Sequence, residues 1–164
     1  MNLNDTTKSR IRASIREAQE IINSKVLESH NPFWNSSISR FLIIMRDLIK
    51  KSEKYLNKRI DFTDDVKIDL DIKDVTDLIT YYRNAVCHPE ADNLTSFEID
   101  NSKVETSFNV IFGKGNLLQI GSFTFDNEYE DDVAINFADK KLLLKRHLIR
   151  AFCELKLAFD PHLT

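Results

Sequence analysis

The stretch Arg83-Asn84-Ala85-Val86-Cys87-His88-Pro89 sets a permanent cation and an imidazole five residues apart. A fixed positive charge can stabilise the charge that develops on a phosphate under attack, and an imidazole moves protons near neutral pH. Cleaving a phosphodiester without a metal ion needs those two functions, so Arg83 and His88 are the candidate catalytic pair. A thiol nucleophile is a poorer reading of Cys87, because adjacent helical residues diverge by about 100° and Cys87 cannot share a face with His88.

The motif closes a segment from about Asp74 to Cys87 in which Val75, Leu78, Ile79, Tyr82 and Val86 fall within about 60° of one direction, which marks the core side of a third helix. Asn84 and His88 then point roughly 180° to 220° away, one turn apart, with Asp77 and Tyr81 on the same far side. Arg83 lies on the flank, about 80° from the core direction, and its long stem lets the guanidinium swing toward that outer face. One phosphate could meet all three side chains. Pro89 stands where helices commonly stop.

Two helices precede it. Ile11, Ile15, Ala18, Ile22 and Val26 give a first helix over about 7–29, with Asp5 or Thr6 as its cap. Ile38, Phe41, Leu42, Met45, Leu48 and Ile49 give a second over about 36–59, with Ser36 or Ser37 as its cap. The alternation Val66-Lys67-Ile68-Asp69-Leu70-Asp71-Ile72 predicts a connector with a short strand. After the motif the period falls to two: Val104 to Phe112 and Leu118 to Thr124 alternate around a Gly113-Lys114-Gly115-Asn116 turn that predicts a hairpin, and Val133 to Phe137 follows. Asp139 then caps a last helix with Leu144, Leu148, Ala151, Phe152, Leu155 and Phe159 on one stripe.

The chain has 164 residues, 42% hydrophobic and 30% charged, with three Gly and three Pro. That suits one domain that buries about 70% of its unfolded surface. No apolar run is long enough to span a membrane, and the N-terminus lacks a secretory apolar region, so a cytoplasmic protein is expected. A net charge of −3 is not the footprint of a general nucleic-acid binder. Any RNA contact must therefore be local. Cys87 and Cys153 sit in apolar helical patterns and are expected as buried reduced thiols. His30, His147 and His162 lack ligand-spaced partners, so no metal is expected. Arg46, Lys50, Lys54 and Lys58 recur every four residues. A solvated face is the commoner meaning of such a stripe, yet Arg46 and Lys50, with Tyr81, are the candidates for contacting substrate. The basic residues Lys140, Lys141, Lys145, Arg146 and Arg150 read as a solvated face of the last helix.

Arg83-Asn84 followed by His88 near a helix C-terminus, after a long amphipathic helix, resembles the HEPN superfamily, whose signature is Arg, usually a polar residue, and His after four to six intervening positions. The resemblance covers about residues 1–93 and 138–160. It implies a mainly α fold: a bundle of four or five helices in a single domain spanning 1–164, here with a small antiparallel β-meander inserted at about 94–137. It also implies a homodimer that joins two motifs in one cleft. The activity it implies is that of a metal-independent endoribonuclease without a cofactor, of the kind met in toxin-antitoxin and phage-defence systems, with an antitoxin or other protein as a partner. Arg83 would then stabilise the phosphate, Asn84 orient it and His88 transfer protons. Attack by the 2′-hydroxyl would leave a 2′,3′-cyclic phosphate, and DNA would be inert. The alternative is a non-catalytic HEPN-like module that binds RNA or a protein.

Overall fold

The structure is a computed structural model that describes residues 3–88, 96–105 and 107–163. Within them lie α1 (Asp5–Asn23), α2 (Trp34–Leu56), α3 (Val75–Cys87), seven short strands, a π-helical stretch (Leu144–Ile149) that runs into α4 (Arg150–Phe159), and a 3-10 turn (Asp160–His162). The strands are β1 (Ser96–Ile99), β2 (Ser102–Glu105), β3 (Asn109–Phe112), β4 (Gly115–Ile120), β5 (Phe123–Asn127), β6 (Val133–Phe137) and β7 (Lys140–Leu143).

The helical stripes form the core as their spacing requires. Phe41, Leu42, Met45, Leu48 and Ile49 of α2, Val75, Leu78, Ile79 and Tyr82 of α3, and Ala151, Phe152, Leu155 and Phe159 of α4 are buried together. Phe41 meets Phe152 edge to face at 6.3 Å. Asn4, rather than Asp5 or Thr6, caps α1 through the amide of Thr7 at 2.8 Å. The helix stops at Asn23, short of the expected 29, because Lys25 turns into the left-handed region at φ 56°. The second helix starts at Trp34, ahead of Ser36, with no side-chain cap.

The expected mainly helical bundle with one small meander is not what forms. Helices take 48% of the described residues and strands 21%, in three separate antiparallel sheets ordered β1-β2, β3-β6-β7 and β4-β5, so the fold is mixed α and β. The sheet is also a wall of the core: Val133, Ile135 and Phe137 of β6 and Leu142 of β7 join the same buried cluster as the helices. Alternation along β6 sends those three side chains to the helices and Asn136 to the opposite face.

Three local predictions fail for identifiable reasons. The connector at 66–72 carries no strand, because Asp69 accepts from the amides of both Asp71 and Ile72 at 2.9 Å and folds the segment into a side-chain-closed turn. The hairpin across Gly113 does not pair: Asn127 donates its side-chain amide to Gly113 O and Asp132 O at 2.9 Å, and Gly113 donates to Asp132 O at 2.9 Å. With the turn held that way, β3 pairs with β6 and β4 with β5. Lys140 to Leu143 do not begin the last helix. They form β7, which a tight turn with Ala138 at φ 51° folds back onto β6. Thr106, expected within a strand, and Pro89, expected to stop α3, lie outside the described residues. Of the two free thiols, Cys87 is half-buried and Cys153 is exposed, against the expected burial of both.

Candidate active site at the end of the third helix

Both ends and the middle of α3 are anchored. Asp74 caps its first turn through the amide of Asp77 at 3.1 Å, and Arg59 clamps that end by bonding Asp74 at 2.6 Å and Asp77 at 2.6 Å. At the centre the fully buried Tyr82 sets its hydroxyl 2.7 Å from Ile135 O and 2.8 Å from Lys140 O, which ties the helix to the β6–β7 hairpin. At the far end the amide of His88 donates to Asn84 O at 2.8 Å, and His88 leaves the helix at φ −137°. The residue before the motif is thus fixed to the sheet, and the residue that ends it is fixed to Asn84.

Arg83 and Asn84 are half-buried and His88 is exposed. Arg83 Nη1 donates to Asn84 Oδ1 at 3.2 Å, so the guanidinium is turned toward the neighbouring side-chain amide. Among the described residues no carboxylate pairs with Arg83 or with His88. Among the described residues Arg46 and Lys50 share that lack, whereas the cations around the last helix are paired. Arg146 bonds Asp131 and Asp132 at 3.0 Å, Arg150 bonds Asp64 at 2.9 Å, Lys140 bonds Asp69 and Asp139 at 2.6 Å, and Lys141 bonds Asp126. The basic residues around the last helix are therefore ion-paired rather than a bare solvated face, and Lys140 and Lys141 lie on a strand.

The residues expected to contact substrate lie on two helices, Arg46 and Lys50 on α2 and Tyr81 on α3. Lys50 is exposed on α2. Arg46 is half-buried, with its Nε buried and without a partner among the described residues. Tyr81 lies half-buried, its ring 5.8 Å from that of Tyr82 and 6.1 Å from that of Phe137. Burial pushes its hydroxyl up to about 12 against the opposing charge of Lys140, so it stays protonated and can serve only as a neutral hydrogen-bonding group. Among the described residues no hydrogen bond links Arg46, Lys50 or Tyr81 to the motif.

A pocket of about 310 Å³ opens beside the last turn of α3, between α2 and the sheet. Trp34, Asn35, Ser39, Tyr82, Val86 and Phe108 are among the side chains that line it. Sequence reasoning missed it because Trp34, Val86 and Phe108 come from distant parts of the chain. The one available signal was Phe108, an aromatic within the alternating Val104 to Phe112 run. A second hollow, between β5, β7 and the 65–67 connector, contains Lys67 and Lys141, and both are neutralised by carboxylates. Among the described residues no group of three or more His, Cys, Asp or Glu is gathered as for a metal, and no helix is long and apolar enough to cross a membrane. Comparison with family models, with curated proteins and with solved structures returns no match to this chain.

Proposed function

We propose that this protein is an endoribonuclease whose site is Arg83, Asn84 and His88. One observation carries the reading: a guanidinium without a carboxylate partner among the described residues is turned toward Asn84, one turn from an exposed imidazole, on a helix otherwise fixed by ion pairs and buried hydrogen bonds. The HEPN-like motif supports it; the mixed architecture adds nothing to that resemblance. Arg83 draws the phosphate and stabilises the charge that builds on its non-bridging oxygens, and Asn84 orients it. The 2′-oxygen of the preceding ribose attacks phosphorus, an O2′–P bond forms and the P–O5′ bond breaks. The proton leaves the 2′-hydroxyl and one is delivered to O5′, with His88 as the group that transfers it. The products are a 2′,3′-cyclic phosphate and a 5′-hydroxyl, and neither water nor a metal ion enters that balance. A homodimer would bring two copies of the motif to one phosphate, and a cytoplasmic setting with a protein partner such as an antitoxin would suit an RNA-cutting activity.

The test is to incubate structured and unstructured RNA with the protein in excess chelator and to map the new ends. Cyclic-phosphate ends that disappear in Arg83→Ala and His88→Ala, with folding retained, are the expected result. RNA that is retained but never cut would move the reading to an RNA-binding module.

A further inference from the structure

We propose that the pocket beside α3 receives a nucleobase of the bound RNA, adenine by preference, with the side-chain amide of Asn35 reading its edge; this rests on the ribonuclease reading above. The volume of about 310 Å³ falls at the lower end of small-ligand sites, large enough for a planar base. The walls are aromatic and their polar ends are already engaged. Trp34 Nε1 donates to Leu27 O at 3.2 Å, so the ring edge it shows to the pocket is carbon, while Tyr82 is fully buried behind the wall with its hydroxyl held by the β6–β7 hairpin. Phe108 stacks on Phe137 at 4.4 Å with an interplanar angle of 23°, yet 38% of it remains exposed, which leaves ring surface on which a base can lie. Unstacked RNA bases are recognised by this combination of aromatic stacking and a hydrogen-bonding edge.

Asn35 supplies the edge. Its carbonyl accepts from the Ser39 hydroxyl at 2.7 Å, but its side-chain amide is exposed and has no partner among the described residues. One acceptor and a pair of donors on a planar amide complement the N6 and N7 positions of adenine. Position on α3 links this pocket to the chemistry. Val86 in the pocket wall is three residues after Arg83, and such pairs have Cβ atoms about 5–6 Å apart.

The single tryptophan, Trp34, is part of the wall, so its emission reports occupancy directly. Titration of the full chain with adenosine and AMP should change that emission saturably, with cytidine weaker. Asn35→Ala should weaken adenosine binding about 5- to 100-fold while thermal unfolding stays unchanged, since the residue is exposed. Arg83→Ala should weaken AMP binding and leave adenosine binding intact. No saturable change at millimolar adenosine, or an undiminished affinity in Asn35→Ala, overturns the proposal even if RNA is cut. Adenosine binding through Asn35 in a protein that cuts no RNA upholds the pocket and refutes catalysis.

Discussion

Asp132 is almost wholly buried, and its carboxylate accepts from the amides of Val133 at 2.8 Å, Lys145 at 2.7 Å and Arg146 at 3.1 Å, and from the Arg146 guanidinium at 3.0 Å. It is therefore the cap of the last helical segment and the tie between that segment and β6. In Asp132→Ala the lost cap costs about 0.5–2 kcal/mol. Leaving buried amides without an acceptor adds about 1–3 kcal/mol, and the Arg146 pair adds little because that side chain is about one-third exposed. Together the loss is about 1.5–5 kcal/mol. For a chain of this size that lowers Tm by about 3–20 °C. Urea unfolding should show the midpoint falling with an unchanged slope, because the surface exposed on unfolding is the same. Asp132→Asn keeps one acceptor oxygen and should lose about half as much. A loss below about 1 kcal/mol in the alanine variant, or equal losses in the two, would refute the view that the buried carboxylate anchors this corner.

Acid sensitivity should trace to His147. It is fully buried, accepts from the Leu143 amide at 3.0 Å through Nδ1 and donates from Nε2 to Asp64 O at 3.0 Å, and burial holds its pKa below the ordinary value near 6.5. The unfolded chain then takes the proton first as pH falls. Stability from this group is complete above about 6.5 and declines on acidification toward the depressed native value, by at most about 1.4 kcal/mol per pH unit. Urea midpoints at pH 7.5 and 5.5 should differ less in His147→Asn than in the parent, and an unchanged difference would exclude His147 as the source. Asn136, in the central strand of its sheet, is fully buried with neither amide atom bonded among the described residues, so Asn136→Leu should raise stability by about 1–3 kcal/mol. A lower denaturation midpoint in that variant would mean that the amide is satisfied in solution.

The helices were legible because each buries one stripe: the spacing of Phe41, Leu42, Met45, Leu48 and Ile49, or of Leu144, Leu148, Ala151, Phe152, Leu155 and Phe159, has a single helical explanation. The wheel does not set the direction of His88, which is exposed but leaves the helix at φ −137°, and Asn84 is half-buried. Strand pairing was not legible, because it depends on Asn127 and Asp132, whose bonds reach residues far away in the chain. Lys140 and Lys141 read as helix because Asp139 resembles a cap, and the left-handed turn at Ala138 has no signature in an alanine. Tyr81 read as an outward residue because a helical wheel does not show the hairpin that comes to lie over it.

The most direct measurement uses an RNA oligonucleotide cut at one bond and a second one in which the ribose supplying the 2′-hydroxyl to that bond is replaced by deoxyribose. With attack by the 2′-oxygen at the Arg83 and His88 site, the modified bond stays intact while the parent strand yields a cyclic phosphate. Cleavage of the modified bond, or parent cleavage that persists in His88→Ala, would contradict the account.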